Sequence, residues 1–334
     1  MNRRELFLAM GAAPLAAAAT GAQGVYPERT VTIVNGYGPG GSTEVAARLV
    51  MDGMAKSLAT GSTLIIENKP GASGTVASEW LRRQPADGHT LMLSESSSFA
   101  IMPTMRAEGV RYRPIEDFSW LGTLCTSPLV FIVTQNFPAK TLPEALDVLR
   151  SARSETLDYS SSGPGSIPHI AAELLRRSLG ENAKSRHIPY RGGAPAVLSV
   201  AKGETAWGVA ALGSAAGQIQ GGLVRALAVT SPARHPLLPD VPSFTEAGGG
   251  IPELVLEIYY LLHGPAGVSP AIVQRLNEAV NATLKNPETR QRFLTAGMKA
   301  WEGANTPAST TKIVADELAR FKAIAERTGI RIAG

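Results

Sequence analysis

The chain has 334 residues, enough for two domains of ordinary size, and its 44% hydrophobic and 18% charged content is that of a globular protein. The net charge of +4 comes from 32 basic residues spread along the chain without a dense cluster, which argues against nucleic acid as a partner. A single cysteine, Cys125, excludes an internal disulfide, and the five histidines show no i, i+3 or i, i+4 spacing, so no metal site is expected.

The first two dozen residues read as a signal and not as fold. Arg3 and Arg4 form a basic start, residues 6–19 are apolar, and Ala22, Gln23 and Gly24 are small or permissive enough for cleavage. That apolar run is shorter than the ~20 residues a bilayer span needs. The adjacent arginines fit a twin-arginine signal or an ordinary Sec signal, and the sequence leaves the two open. Removing residues 1–24 takes away two positive charges and one negative, leaving a mature chain of +3. With no cysteine at the cleavage site to carry a lipid, the mature protein is expected to be free in a periplasm.

Beyond the signal, strand and helix patterns alternate. Strands are expected at 31–34, 64–67 and 90–93, with helices at 45–58 and 75–83 and a PADG turn at 85–88. Residues 121–125 read as a buried run containing Cys125. Further strands are expected at 129–134, 156–159, 184–188, 207–209 and 226–230, with helices at 142–151, 169–179 and 194–201. Strands interleaved with helices of this length imply parallel sheets joined by right-handed crossovers. From Ser269 the strands stop. Ser269 and Pro270 are a good cap and first-turn pair for a helix at 271–284, followed by helices at 288–296 and 309–327.

Two short stretches look like one device used twice: GPGGSTE at 38–44 and SSSGPGS at 160–166. Each joins a strand to a helix. Such a loop leaves unpaired backbone N–H groups at the positive end of a helix dipole, and two of them suggest an anion held between two lobes. Ser42 and Ser166 are each open to two readings, a ligand contact or a helix cap. Arg191 in YRGG at 190–193 suits a distal carboxylate or a solvated loop, and Tyr37, Tyr259 and Tyr260 suit a ligand face or an interlobe core.

Enzyme motifs are weaker. Residues 36–41 match G-x-G-x-x-G after a strand, and Glu67 ends the next strand, so an exported NAD(P)-dependent oxidoreductase is the alternative reading. Pro39 and Gly40 sit inside that motif, and Glu67 lies farther on than the usual ~20 residues. Ser309 and Lys312 match S-x-x-K without its partner motifs, and Ser309 reads as a helix cap. Gly213 to Gly217 resembles a nucleophile elbow with the wrong spacing and reads as a Gly-rich turn.

A series of marks in order along the chain resembles the receptors of the tripartite tricarboxylate transporter system, the Bug (TctC-like) family of periplasmic solute-binding proteins. They are YPER at 26–29, GGST at 40–43, ENKPGA at 67–72, ADGHTL at 86–91 and YSSSG at 159–163. PYRGGAP at 189–195, RALAVTS at 225–231, LPDVP at 238–242 and PAG at 265–267 complete them. The resemblance implies an α/β fold of periplasmic-binding-protein type II, two α/β lobes with an interlobe cleft. Lobe 1 is expected at 25–126 plus 229–300, lobe 2 at 127–228, and a C-terminal helix within 301–334 packs across the lobes. It implies no enzyme and no cofactor, a small organic carboxylate as ligand, membrane subunits of the transporter as partners, and a monomer. Gly40, Gly41, Ser42 and Thr43 are expected to form one jaw and Ser161, Ser162, Gly163 and Ser166 the other. Tyr37, Tyr190, Arg191, Gly192 and Ala210 are expected to complete the ligand site. Two departures stand out: Glu44 where the family usually has Asp, and Ala210 and Ala211 where it often has Asp-Asn. The second leaves a less polar pocket and no carboxylate at those positions for a ligand ammonium, so an acid without a primary ammonium group is expected.

Overall fold

In a computed structural model of the protein, residues 26–58, 62–151, 157–180 and 185–333 are described. The expected signal and its cleavage site lie outside them. The first βα units run β1 (Val31–Asn35), α1 (Ser42–Leu58), β2 (Leu64–Asn68), α2 (Thr75–Leu81), β3 (Thr90–Glu95) and α3 (Met102–Met105). Then come β4 (Phe118–Thr134), α4 (Leu142–Arg150), β5 (Tyr159–Ser161), α5 (Ile167–Ser178), β6 (His187–Pro189) and α6 (Gly193–Ala201). β7 (Trp207–Ala211), α7 (Leu212–Gln220), β8 (Val224–Val229) and β9 (Glu257–Pro265) lead to the helical tail. That tail is α8 (Pro270–Lys285), α9 (Pro287–Thr295), the short β10 (Lys299–Ala300) and α10 (Pro307–Thr328).

The strands follow the order β2-β1-β3-β9-β4-β7-β5-β6, with β8 and β10 also paired to β4. β4 is the element that joins the two halves. Residues up to Pro128 pair with β9, and from Leu129 onward the same strand pairs with β7 and β8. The change of partner falls at Pro128, which has no N–H to give to a ladder. The chain returns beside it at Thr230. The Thr230 hydroxyl accepts from Leu129 N at 2.8 Å and donates to Leu256 O at 2.5 Å, tying the two crossings together.

The expectation of parallel sheets holds for β1, β2 and β3 and for β5, β6 and β7. It fails for β4, β8, β9 and β10, whose pairings are antiparallel. The run around Cys125 is the first half of β4, unrecognised because Gly122, Thr123, Thr126 and Ser127 interrupt its apolar pattern. Buried on both faces, that strand shows no alternation to read. Residues 213–217 also differ from expectation: they are not a turn but part of α7, against whose Gly213 and Gly217 the propensity reading gave too much weight. Tertiary packing of the buried Leu212, Ala215 and Ala216 outweighs the glycine cost there.

The larger core gathers Val31, Ile33 and Val34 of β1 with Val50 and Met54 of α1, Leu262 of β9 and Leu276 of α8. A smaller one holds Val130 and Ile132 of β4 with Val197, Val200, Leu212 and Val224. α10 starts at Thr306, which caps it and exchanges bonds with Ser309, so Ser309 is the third residue of a capping box and not the cap. α10 buries Phe321 and Ile324, and Thr328 O accepts from Arg177 of α5 at 2.7 Å.

Candidate ligand-binding site

The site starts from the end of β1. The Asn35 amide donates to Tyr37 O and to Asn68 Oδ1, and its oxygen accepts from Tyr37 N, which pins the first loop to β2. Gly40 has φ of 78°, turning the chain into α1. Glu44 then folds back, accepting from Gly40 N at 2.7 Å and pairing with Arg48 one turn on. Ser42 N donates across the cleft to Ser214 Oγ of α7 at 3.0 Å. Among the described residues, the amides of Gly41 and Thr43 meet no protein acceptor, and they stand at the positive end of a 17-residue helix.

The second loop is built differently. Ser166 caps α5, accepting from His169 N at 3.2 Å. Ser161 Oγ is bonded to His187 Nε2 at 2.7 Å and accepts from Gly163 N. Gly165 N donates to His169 Nδ1, Ser166 N to Gly163 O, and Ile167 N to Ser97 Oγ on the facing half at 2.8 Å. Among the described residues, the Ser162 amide and hydroxyl meet no protein acceptor, while Gly163, Gly165, Ser166 and Ile167 have their amides satisfied by the protein.

The two loops close on a cavity of about 30 Å³, room for roughly two waters in this closed arrangement. Tyr37, Gly41, Ser42, Thr43, Ser162 and Ala210 line it, as the sequence suggested. Gly163, Tyr190 and Arg191 line instead an outer mouth of about 510 Å³, which shares Tyr37 and Ser162 with the inner cavity. Gly40, Ser161, Ser166 and Gly192 line neither. Gly40 and Gly192 shape backbone, Ser166 is a cap, and Ser161 turns its hydroxyl to His187. The tyrosine pair splits: Tyr260 is fully buried and lines the cavity, whereas Tyr259 packs edge-on against Trp301.

Sequence reasoning missed the cavity floor. Glu95, the last residue of β3, is buried there. Its Oε2 accepts from Ser97 N and Ser97 Oγ, both at 2.9 Å, and its Oε1 accepts from the Tyr37 hydroxyl. Burial raises the Glu95 pKa against these bonds, and burial together with the neighbouring carboxylate pushes the Tyr37 phenol well above its usual range. The buried Tyr260 hydroxyl has the Ser42 side chain beside it but makes no hydrogen bond of good geometry to the protein. Among the described residues no Lys, Arg or His lines this cavity; Val209, Ala210, Ala211, Ala196 and Ile258 give it apolar walls. The signal that was available is the charged residue of SESSS at 94–98, set among small residues at a strand end.

Two lobes spanned by one shared strand, with loops from both closing on a small cavity, define the class of two-lobed periplasmic binding proteins. The family model described as tripartite tricarboxylate transporter family receptor matches residues 46–330. The chain belongs to that family, as its marks implied. Protein BugT of Bordetella pertussis is 29% identical over 307 residues, covering 92% of this chain and 91% of BugT. MatC from Rhodopseudomonas palustris, solved with bound malate, superposes with a TM-score of 0.83 at 29% identity, covering 90% of this chain and 99% of MatC. An R. palustris protein solved with adipate gives 0.85 at 27% identity, covering 92% and 100%. The G-x-G-x-x-G stretch does lie between β1 and α1, but the family is one of receptors, and the oxidoreductase reading falls behind.

Proposed function

We propose that this receptor captures a small organic carboxylate in the cavity between its lobes and hands it to the membrane subunits of a tripartite transporter. The observation that carries the reading is the pair of unpartnered amides, Gly41 and Thr43, in residues that line one interlobe cavity with the buried Tyr260. Hydrogen bonds to a charged group contribute roughly 1.5–3 kcal/mol each, so three would supply much of the ~8 kcal/mol that micromolar affinity needs. Ser42 from the first loop and Ser162 from the second add hydroxyls to the same cavity, and Tyr190 and Arg191 stand at the mouth a ligand must pass. The carboxylates in the related structures support the same ligand class. Lobe 1 is taken as residues 25–126 plus 229–300 and lobe 2 as 127–228, with α10 bracing them. The mature protein begins after residues 22–24 and works as a monomer in the periplasm; replacing Arg3 and Arg4 by Lys blocks export only on the twin-arginine route.

The test is a thermal-shift and calorimetric screen of the mature protein against mono- and dicarboxylates, amino acids included. A ligand at 100 times its dissociation constant adds about 2.7 kcal/mol of stability. Binding with a matching fall in the radius of gyration is the expected result. A screen in which no carboxylate of any kind stabilises the protein overturns the reading.

A further inference from the structure

The cavity lining divides its donors and acceptors unevenly. Gly41 N and Thr43 N of the first loop are donors without protein acceptors. At Glu95 the order is reversed. The Glu95 carboxylate offers only lone pairs, and the Tyr37 hydroxyl donates its hydrogen bond to Glu95, so its oxygen offers only lone pairs to a ligand as well. Tyr260, beside them, is buried with its hydroxyl unpartnered. The rest of the lining is largely alanine, valine and isoleucine, and no protein cation stands among the lining residues to neutralise Glu95.

That arrangement bears on what the far end of a bound carboxylate carries. A second carboxylate there would face Glu95 with no intervening cation, like charge against like charge in a water-poor site. An ammonium there would find a carboxylate acceptor and a phenol oxygen, held in place by Ser97 and Asn35. We propose that the pocket selects a zwitterionic ligand, a small amino acid whose carboxylate meets the first loop and whose ammonium meets Glu95. The proposal rests on the carboxylate reading of this cavity. It reverses the expectation drawn from Ala210 and Ala211: the carboxylate missing from β7 is supplied from the end of β3, on the other lobe. Burial holds the Glu95 pKa up in the protein alone, and a ligand cation is the group that relieves it.

Calorimetry of the mature protein and of Glu95→Gln tests this with matched ligands: L-alanine, β-alanine and 4-aminobutyrate against malonate, succinate and adipate. For the wild-type protein the best amino acid is expected to bind at least tenfold more tightly than the best dicarboxylate. In Glu95→Gln that ratio collapses, with the amino acid at least tenfold weaker and the dicarboxylates stronger. Dicarboxylates binding the wild type as tightly as the amino acids overturns the proposal while leaving the carboxylate site intact, and needs no variant to fold. A ratio unchanged in a folded Glu95→Gln overturns it too, reducing Glu95 to a brace for Tyr37. Failure of every ligand on the wild type sinks the carboxylate reading itself, and this proposal with it.

Discussion

The loops before α1 and α5 have nearly the same composition and the same place in a strand–loop–helix unit, yet the fold uses them differently. The first keeps donors in hand. Glu44 satisfies Gly40, Ser214 satisfies Ser42, and the Gly41 and Thr43 amides are left toward the cavity. The second commits most of its donors to Ser161, Gly163, His169 and Ser97, keeps only the Ser162 amide and hydroxyl without a protein acceptor, and presents chiefly Ser162, Ile167 and Pro168 to the cavity. A Gly/Ser-rich helix start is therefore an anion site only where nothing else in the fold reaches its amides. On the proposed reading the first loop is the main gripping jaw, and the second is largely a wall latched against it that adds Ser162.

That contrast can be broken most forcefully at Gly38. A Cβ there lands 2.9 Å from Arg191 O, backbone meeting backbone across the cleft, so Gly38→Val is expected to hold the lobes apart. Affinity for the best carboxylate should drop by tenfold or more, about 1.4 kcal/mol, and the ligand-driven fall in radius of gyration should vanish in solution scattering. Unchanged closure would mean that the first loop is not what meets the second lobe.

Acid should divide the two loops next. Burial depresses the pKa of His187 to about 4, and burial also lowers that of His169, the two rings stacking 4.2 Å apart behind the second loop. In the unfolded chain both take a proton near pH 6.5. The unfolded state thus binds more protons below that value, and the histidine contribution is complete above pH 6.5 and lost as the pH falls toward 4. Glu95 and Glu257, whose pKa values burial raises, pull the other way, so the effect is read as the difference between wild type and His187→Asn in chemical denaturation. Hydrogen-exchange protection factors, corrected for the intrinsic pH dependence, should fall at residues 161–166 before 38–43 as the pH drops. The same acid response in both proteins would remove His187 from the account.

Smaller changes sharpen the comparison. Ser214→Ala removes the acceptor for Ser42 N, and with it a bond of the closed state, so affinity should fall about fivefold, ~1 kcal/mol. Ser166→Ala removes a cap and nothing in the cavity. It should cost ~1 kcal/mol of stability, about 2 °C in melting temperature, while affinity stays within twofold. A loss of affinity at Ser166 with no loss of stability would restore the symmetric picture of two gripping loops.

The sequence by itself determined the local pieces of this protein. Apolar periodicity located β1, α1, α4, α5 and the three C-terminal helices to within a few residues, and Ser269 does cap α8, accepting from Ile272 N. The strand–loop–helix positions of both Gly/Ser stretches, and the family to which the chain belongs, were legible from marks spaced along it. Only the tertiary structure decided what those pieces do. β4 and β9 are buried on both faces and interrupted by polar residues, so neither shows a readable period, and their antiparallel pairing brings Tyr260 beside Glu95. The serines that separate the loops, Ser214 and Ser97, lie 172 and 70 residues from the amides they satisfy. Propensity, capping and hydrophobic period are written within about ten residues of chain. Which donor is left unpaired in a cleft depends on groups brought from the other lobe, and no local pattern records them.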